Sequence, residues 1–141
     1  MTSSLEIAKR SNIVNSFNSL IDEFAKKMIA TFPQEHKLSI WYLQFKTSKT
    51  FNSKFPMEYI MDSMIDFGYQ ILTKDERFFK KDEYVQLAEG FSEKTGLINI
   101  WDTTTPQVKE AIWQYIQKLY VLGMNGIGKQ DELKQVLIRM N

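Results

Sequence analysis

Gly123, Gly128 and Lys129 stand at the spacing of G-x-x-x-x-G-K, the start of a loop whose backbone amides cradle phosphates while the lysine reaches the terminal ones. Such a loop also needs a hydroxyl after the lysine to hold magnesium, a buried strand leading in, and later strands carrying a carboxylate. Here Gln130 stands where the hydroxyl belongs, and the preceding "EAIWQYIQKLYVL" places its apolar residues at helical spacing. Too little chain follows Lys129 to build the remaining strand–helix units. The glycines have a simpler use, since Gly123, Gly126 and Gly128 can end one helix and turn the chain into the next. The stretch reads as a helix connector.

The other constellations are sparser. Glu58, Asp62 and Asp66 fall at i, i+4 and i+8, where like charges repel by roughly 0.2–0.5 kcal/mol per pair. A cation or a basic partner could offset them, but a solvated face is the simpler account. His36 is the only histidine and there is no cysteine. It has no ligand-spaced companion for a metal and no partner for nucleophilic catalysis, and it reads as a surface residue near a helix start. With no nucleophile–base pair, metal set or cofactor loop, the chain reads as non-enzymatic, and no cofactor is expected.

Two features suggest a contact surface. In "FKTSKTFNSKF", residues 45–55, Lys46, Lys49 and Lys54 interleave with Phe45, Phe51 and Phe55, with no acid among them. Basic groups beside stackable rings bind single-stranded nucleic acid. Three lysines would make that contact weak and strongly salt-dependent. The plainer account anchors the rings in the core and leaves the lysines to keep the loop solvated. The second feature is Trp113, on a face partly distinct from the apolar stripe of its helix. It either completes the core or protrudes, and protruding Trp is enriched among interface anchors.

Size and composition set the frame for these elements. A chain of 141 residues is most simply one domain. The 43% apolar and 25% charged residues are ordinary for a soluble globular protein. Ten Phe, six Tyr and three Trp point to a core of large rings. The net charge of +1 gives no overall pull toward nucleic acid or anionic membrane. The N-terminus lacks an apolar leader, and no run approaches the ~20 apolar residues of a bilayer span. The expectation is an intracellular protein in a reducing compartment, host-cell cytoplasm or a virion, with no membrane contact.

Periodicity predicts the elements. Ser3 and Glu6 form a capping box. Val14, Phe17, Ile21, Phe24 and Met28 then make an amphipathic helix that ends before Pro33. Asn18 and Asp22 fall on its polar side. A second helix is expected over 35–47, with Leu38, Trp41, Tyr42 and Phe45 on one face, then a loop to residue 55. Pro56 opens a helix with apolar residues at 57, 60, 61, 64, 65, 68 and 72, Gly68 being its weak link. Thr73 and Glu76 suggest a second capping box for a short helix through Phe78 and Phe79. Asp82 is expected to cap a helix carrying Tyr84, Val85, Leu87, Ala88 and Phe91. "KTGLINIWDTTT" alternates too briefly for a strand and reads as an ordered loop. Thr105-Pro106 opens the clearest helix, through Tyr120, and Asp131 a last one with Leu133, Val136, Leu137 and Met140 inward. The sum is all-α, a compact single-domain bundle of six or seven helices.

One segment resembles a known group. Trp101-Asp102, a short linker, then Lys109, Ile112, Trp113, Tyr115, Ile116, Gln117, Leu119 and Tyr120 resemble a helical segment of uncharacterised proteins of large nucleocytoplasmic DNA viruses. "FFKKDEYV", residues 78–85, fits the same resemblance, which centres on residues 78–123. It implies a viral origin and no catalytic residue. The preponderance of Lys over Arg and the abundance of Ile and Asn agree with an AT-rich genome. The leading functional expectation is a structural or protein-interaction protein with an unidentified protein partner. The alternative is a nucleic-acid accessory protein using the basic aromatic loop. Oligomeric state is open.

Overall fold

The computed structural model describes residues 4–79 and 90–141. The Ser3 cap and, of the helix expected from Asp82 through Phe91, residues 82–89 lie outside these residues, while Phe91 is described and buried. Among the described residues there are seven α-helices, joined by turns and short 3₁₀ segments, and no strand. They are α1 (Ser4–Thr31), α2 (His36–Phe51), α3 (Phe55–Asp62), α4 (Gly68–Leu72), α5 (Phe91–Thr95), α6 (Pro106–Gly126) and α7 (Gln130–Met140). No helix among them is long and apolar enough to cross a membrane.

The two long helices, α1 and α6, make the most extensive packing in the molecule. The whole predicted stripe of α1, Val14, Phe17, Ile21, Phe24 and Met28, is buried. Thr105 caps α6 as its spacing foretold, its Oγ1 accepting from the Val108 amide at 3.2 Å, with Pro106 in the first turn. Ile112, Ile116, Leu119 and Tyr120 of α6 face inward with no measurable exposure.

At one end the aromatic residues form a single block. The Phe79 ring stacks on Trp101 with centroids 4.1 Å apart, and Trp113 meets both rings near edge-on, at 4.8 and 5.6 Å. Trp101 Nε1 donates to Glu76 at 3.2 Å, and Lys109 bonds the same carboxylate oxygen while lying over the Trp101 ring. The "KTGLINIWDTTT" segment is the ordered, strandless connector expected, made of the end of α5 and two 3₁₀ turns.

Several boundaries differ from the expectation. The helix expected across 57–72 breaks after Asp62 and resumes at Gly68. Gly68 lies against Tyr120, where a Cβ would overlap the tyrosine hydroxyl, so the glycine serves a close crossing of α4 and α6. Thr73 caps nothing, because its hydroxyl donates back to the Tyr69 carbonyl at 2.7 Å. Asp75 receives the Arg77 amide instead, at 3.1 Å, after Lys74 turns the chain at φ 57. Arg77 also bonds the Asp75 carboxylate and holds its pKa below the usual range. In α7 only Leu133 is buried, while Leu137 and Met140, expected inward, are 45% and 39% exposed. Among the described residues α4 and α6 are the helices that pack closely on α7, and its apolar stripe outlasts them.

Candidate contact surface

The start of α2 is pinned by Glu35. One of its carboxylate oxygens accepts from the Lys37 amide at 3.4 Å and the other from Asn99 Nδ2 at 3.3 Å. The carboxylate lies over Gly96, whose φ of 82 and lack of a Cβ make room for it. Farther along, the Tyr42 hydroxyl donates to Asp22 of α1 at 2.5 Å. That bond, and then Lys26 at 2.9 Å, hold the Asp22 carboxyl below the usual carboxylate range. Leu38, Trp41 and Phe45 fill the core beneath.

The far side of α2 is apolar as well. Ile40, Leu43 and Phe51 are 56%, 61% and 86% exposed. At 100° per residue they share one stripe across three turns, roughly opposite the buried one. A helix that only covers a core has one apolar stripe and a polar back. α2 is apolar on both sides.

A groove of ≈ 220 Å³ runs between α2 and α3, floored by Trp41, Phe45 and Ile60 and walled by Gln44, Phe55 and Tyr59. The Phe55 and Tyr59 rings stack, 14° from parallel, and are 54% and 47% exposed. The groove opens past Tyr59 toward Ile40, Lys37, Glu93 and Lys94. Lys94 sits 4.2 Å over the Tyr59 ring, and Lys37 Nζ reaches the Glu93 carbonyl at 3.5 Å.

The elbow joining α2 to α3 is set from below by a residue expected on a polar face. Asn18 of α1 is only 6% exposed and its Nδ2 donates to the Ser53 carbonyl at 2.8 Å, while its Oδ1 is buried with no partner among the described residues. This predicts an inverted ranking of substitutions. Asn18→Ala should cost only about 1 kcal/mol, because the lost bond is partly offset by removal of the unsatisfied oxygen. The near-isosteric Asn18→Asp should cost more, over about 2 kcal/mol, because it aims a buried anion at a carbonyl oxygen. Urea unfolding at neutral pH checks the order.

The predicted site residues are dispersed. Residues 45–51 belong to α2, so the basic aromatic segment is no open loop. The Ser48 and Thr50 hydroxyls bond back to the Phe45 and Lys46 carbonyls within the helix, which reconciles a loop-like composition with helix. Lys46 and Lys49 fall on the flank toward α1, over the Tyr42 and Phe45 rings at 4.5 and 5.6 Å. Lys54 stands apart at the elbow, and Phe51 joins the outer stripe. The three lysines therefore make no single patch.

Trp113 is 4% exposed and completes the core, since Phe79 and Trp101 close around it, and it offers no contact surface. His36 is exposed at the first position of α2. The acidic stripe is interrupted because α3 ends at Asp62, leaving Asp66 in the following 3₁₀ turn. Among the described residues no group of three or more potential ligands could hold a metal.

The glycine-rich stretch is helix and turn. α6 continues through Gly123 to Gly126, Gly128 turns at φ 77, and Lys129 pairs with Glu132 at 3.1 Å. Gly123 does not terminate the helix, as the sequence suggested. It lies inside α6 against Met61. Sequence reading missed Ile40 and Leu43, whose signal was present, since in α2 apolar residues are left over after one face is assigned, and it missed Tyr59 of α3 as well.

No family model, curated protein or solved structure matches the chain.

Proposed function

We propose that this chain is a non-enzymatic interaction domain that binds another protein through the outer stripe of α2 and the adjoining α2–α3 groove. One observation carries the reading: α2 bears apolar side chains on two opposing sides, and among the described residues only one side is covered. Ile40, Leu43, Phe51, Phe55 and Tyr59 together form an exposed apolar surface of the kind that marks a partner site. The dispersal of Lys46, Lys49 and Lys54 weighs against the nucleic-acid alternative, which needs cations beside freely stackable rings. A viral origin belongs to the same proposal, supported by the resemblance of residues 101–120. An intracellular setting is supported by the absence of cysteine.

A photo-crosslinking amino acid at position 43, compared with one at Ser16 on another face, tests the reading in the native source. Protein adducts should form from position 43, and Ile40→Glu with Phe51→Glu should abolish them while the thermal transition stays unchanged. Adducts formed only with nucleic acid, or equally from both positions, would sink it.

A further inference from the structure

We infer that the occupant of the α2–α3 surface is an acidic amphipathic helix of a different protein, an inference that rests on the interaction reading above. Shape gives the first part. The stripe from Ile40 to Phe51 is roughly 16 Å long at 1.5 Å per residue, and a groove runs beside it. A partner helix of three turns, with apolar residues at i, i+3, i+4 and i+7, matches that length and lays its apolar side along the stripe.

Charge gives the second part. Between Glu35 and Glu58 the chain carries Lys37, Lys46, Lys49 and Lys54 and no acid. Lys37 and Lys94 line one end of the groove, and exposed Lys54 directly precedes Phe55, which walls it, in the chain. Glu93 is the only acid among the groove-lining residues, and the cation of Lys37 already leans toward its backbone carbonyl. Such a rim attracts glutamate and aspartate on the flanks of an incoming helix and repels lysine.

The same charge argues against a second copy. An isologous pair would bring this face onto itself, setting Lys37, Lys54 and Lys94 against the same lysines, with Glu93 the one acid of the lining to answer. Two other apolar helix ends are exposed, around Leu5 and Ile7 with Glu6, Lys9 and Arg10, and around Leu137, Ile138 and Met140 with Arg139, and neither is acidic on balance, so both are also poor matches.

The test uses the full chain and three labelled peptides of about sixteen residues. The first carries leucine at i, i+3, i+4 and i+7 with glutamate elsewhere. The second has the same leucines with lysine. The third has the composition of the first with the leucines scattered. By fluorescence anisotropy the first should bind at least about tenfold tighter than either of the others, and weaken as salt rises. Ile40→Glu with Phe51→Glu should remove that binding. Lys37→Gln, Lys54→Gln and Lys94→Gln together should weaken it about tenfold and flatten its salt dependence, with the thermal transition of each variant unchanged.

Equal binding of the acidic and basic amphipathic peptides overturns the acidic partner and leaves the interaction reading standing. Binding of none of the three overturns both. Tighter binding of oligo-dT or of phosphatidylserine vesicles, lost in the same variants, assigns the face to nucleic acid or membrane and overturns the inference. A concentration-dependent dimer broken by Phe51→Glu assigns it to a second copy and overturns it as well.

Discussion

Trp101→Ala is expected to cost about 3–5 kcal/mol, the range for truncating a fully buried large aromatic. Trp101 is 1% exposed, stacked on Phe79 and met edge-on by Trp113. Its removal opens a void that the two remaining rings, each held by other neighbours, cannot close. It also takes one bond from the Glu76 carboxylate, although Lys109 still holds that group at 3.2 Å. Against a total stability of about 5–15 kcal/mol, the loss should lower the melting temperature by more than roughly 10 °C. Trp101→Phe keeps most of the stacking and should recover over half of the loss. Chemical unfolding of both variants checks the pair. A cost below about 1 kcal/mol for Trp101→Ala would mean that the aromatic block does not hold this end of the fold together.

Gly123→Val is the second large effect. Gly123 is in the interior of α6, and a Cβ there would overlap Met61 of α3, itself 1% exposed. A single methyl, as in Gly123→Ala, gains about 1 kcal/mol of helix propensity, which partly offsets the collision. Valine adds two more carbons into a filled space, and overpacking of this kind costs about 1–3 kcal/mol or more. Met61→Ala should be costly alone, by about 2–5 kcal/mol, yet the double variant should cost clearly less than the two single costs combined, because each change relieves the other. Strict additivity would show that Gly123 and Met61 do not share that space. Gly128→Ala makes the contrast. Nothing lies within 4 Å of its would-be Cβ, and only the left-handed φ of 77 is strained, so about 1–2 kcal/mol is expected. Two glycines of one short motif thus act for different reasons, and neither reason concerns phosphate.

Local signals were read correctly where a residue's neighbours in the chain decide its state. The three–four spacing of Val14, Phe17, Ile21, Phe24 and Met28 obliges one side of a helix to face an apolar interior, and all five are buried. Thr105 before Pro106 stops or starts a helix by its own hydroxyl and a fixed φ, with no help from elsewhere. The failures share the opposite property. Leu137 and Met140 have the right spacing but stay 45% and 39% exposed. Asn18 has the wrong polarity for a core but reaches a carbonyl at the elbow. Thr73 had the right sequence for a cap, and its hydroxyl was taken by the Tyr69 carbonyl one turn back.

The candidate surface divides in the same way. Amino-acid order by itself determined the all-α class, the long helices, the aromatic richness and the run of lysines without acid, because periodicity, capping and composition are properties of short stretches. It also placed Phe51 and Lys54 near the proposed surface. Long-range packing alone encloses Trp113 between Phe79 and Trp101, turns Lys46 and Lys49 toward α1, and leaves Ile40, Leu43 and Phe51 exposed on one side of α2. An apolar residue carries the same transfer free energy whether its cover comes from its own chain or from a partner. Which helix face remains uncovered depends on where α1, α3 and α5 come to rest against α2, a matter of contacts between residues far apart in the chain.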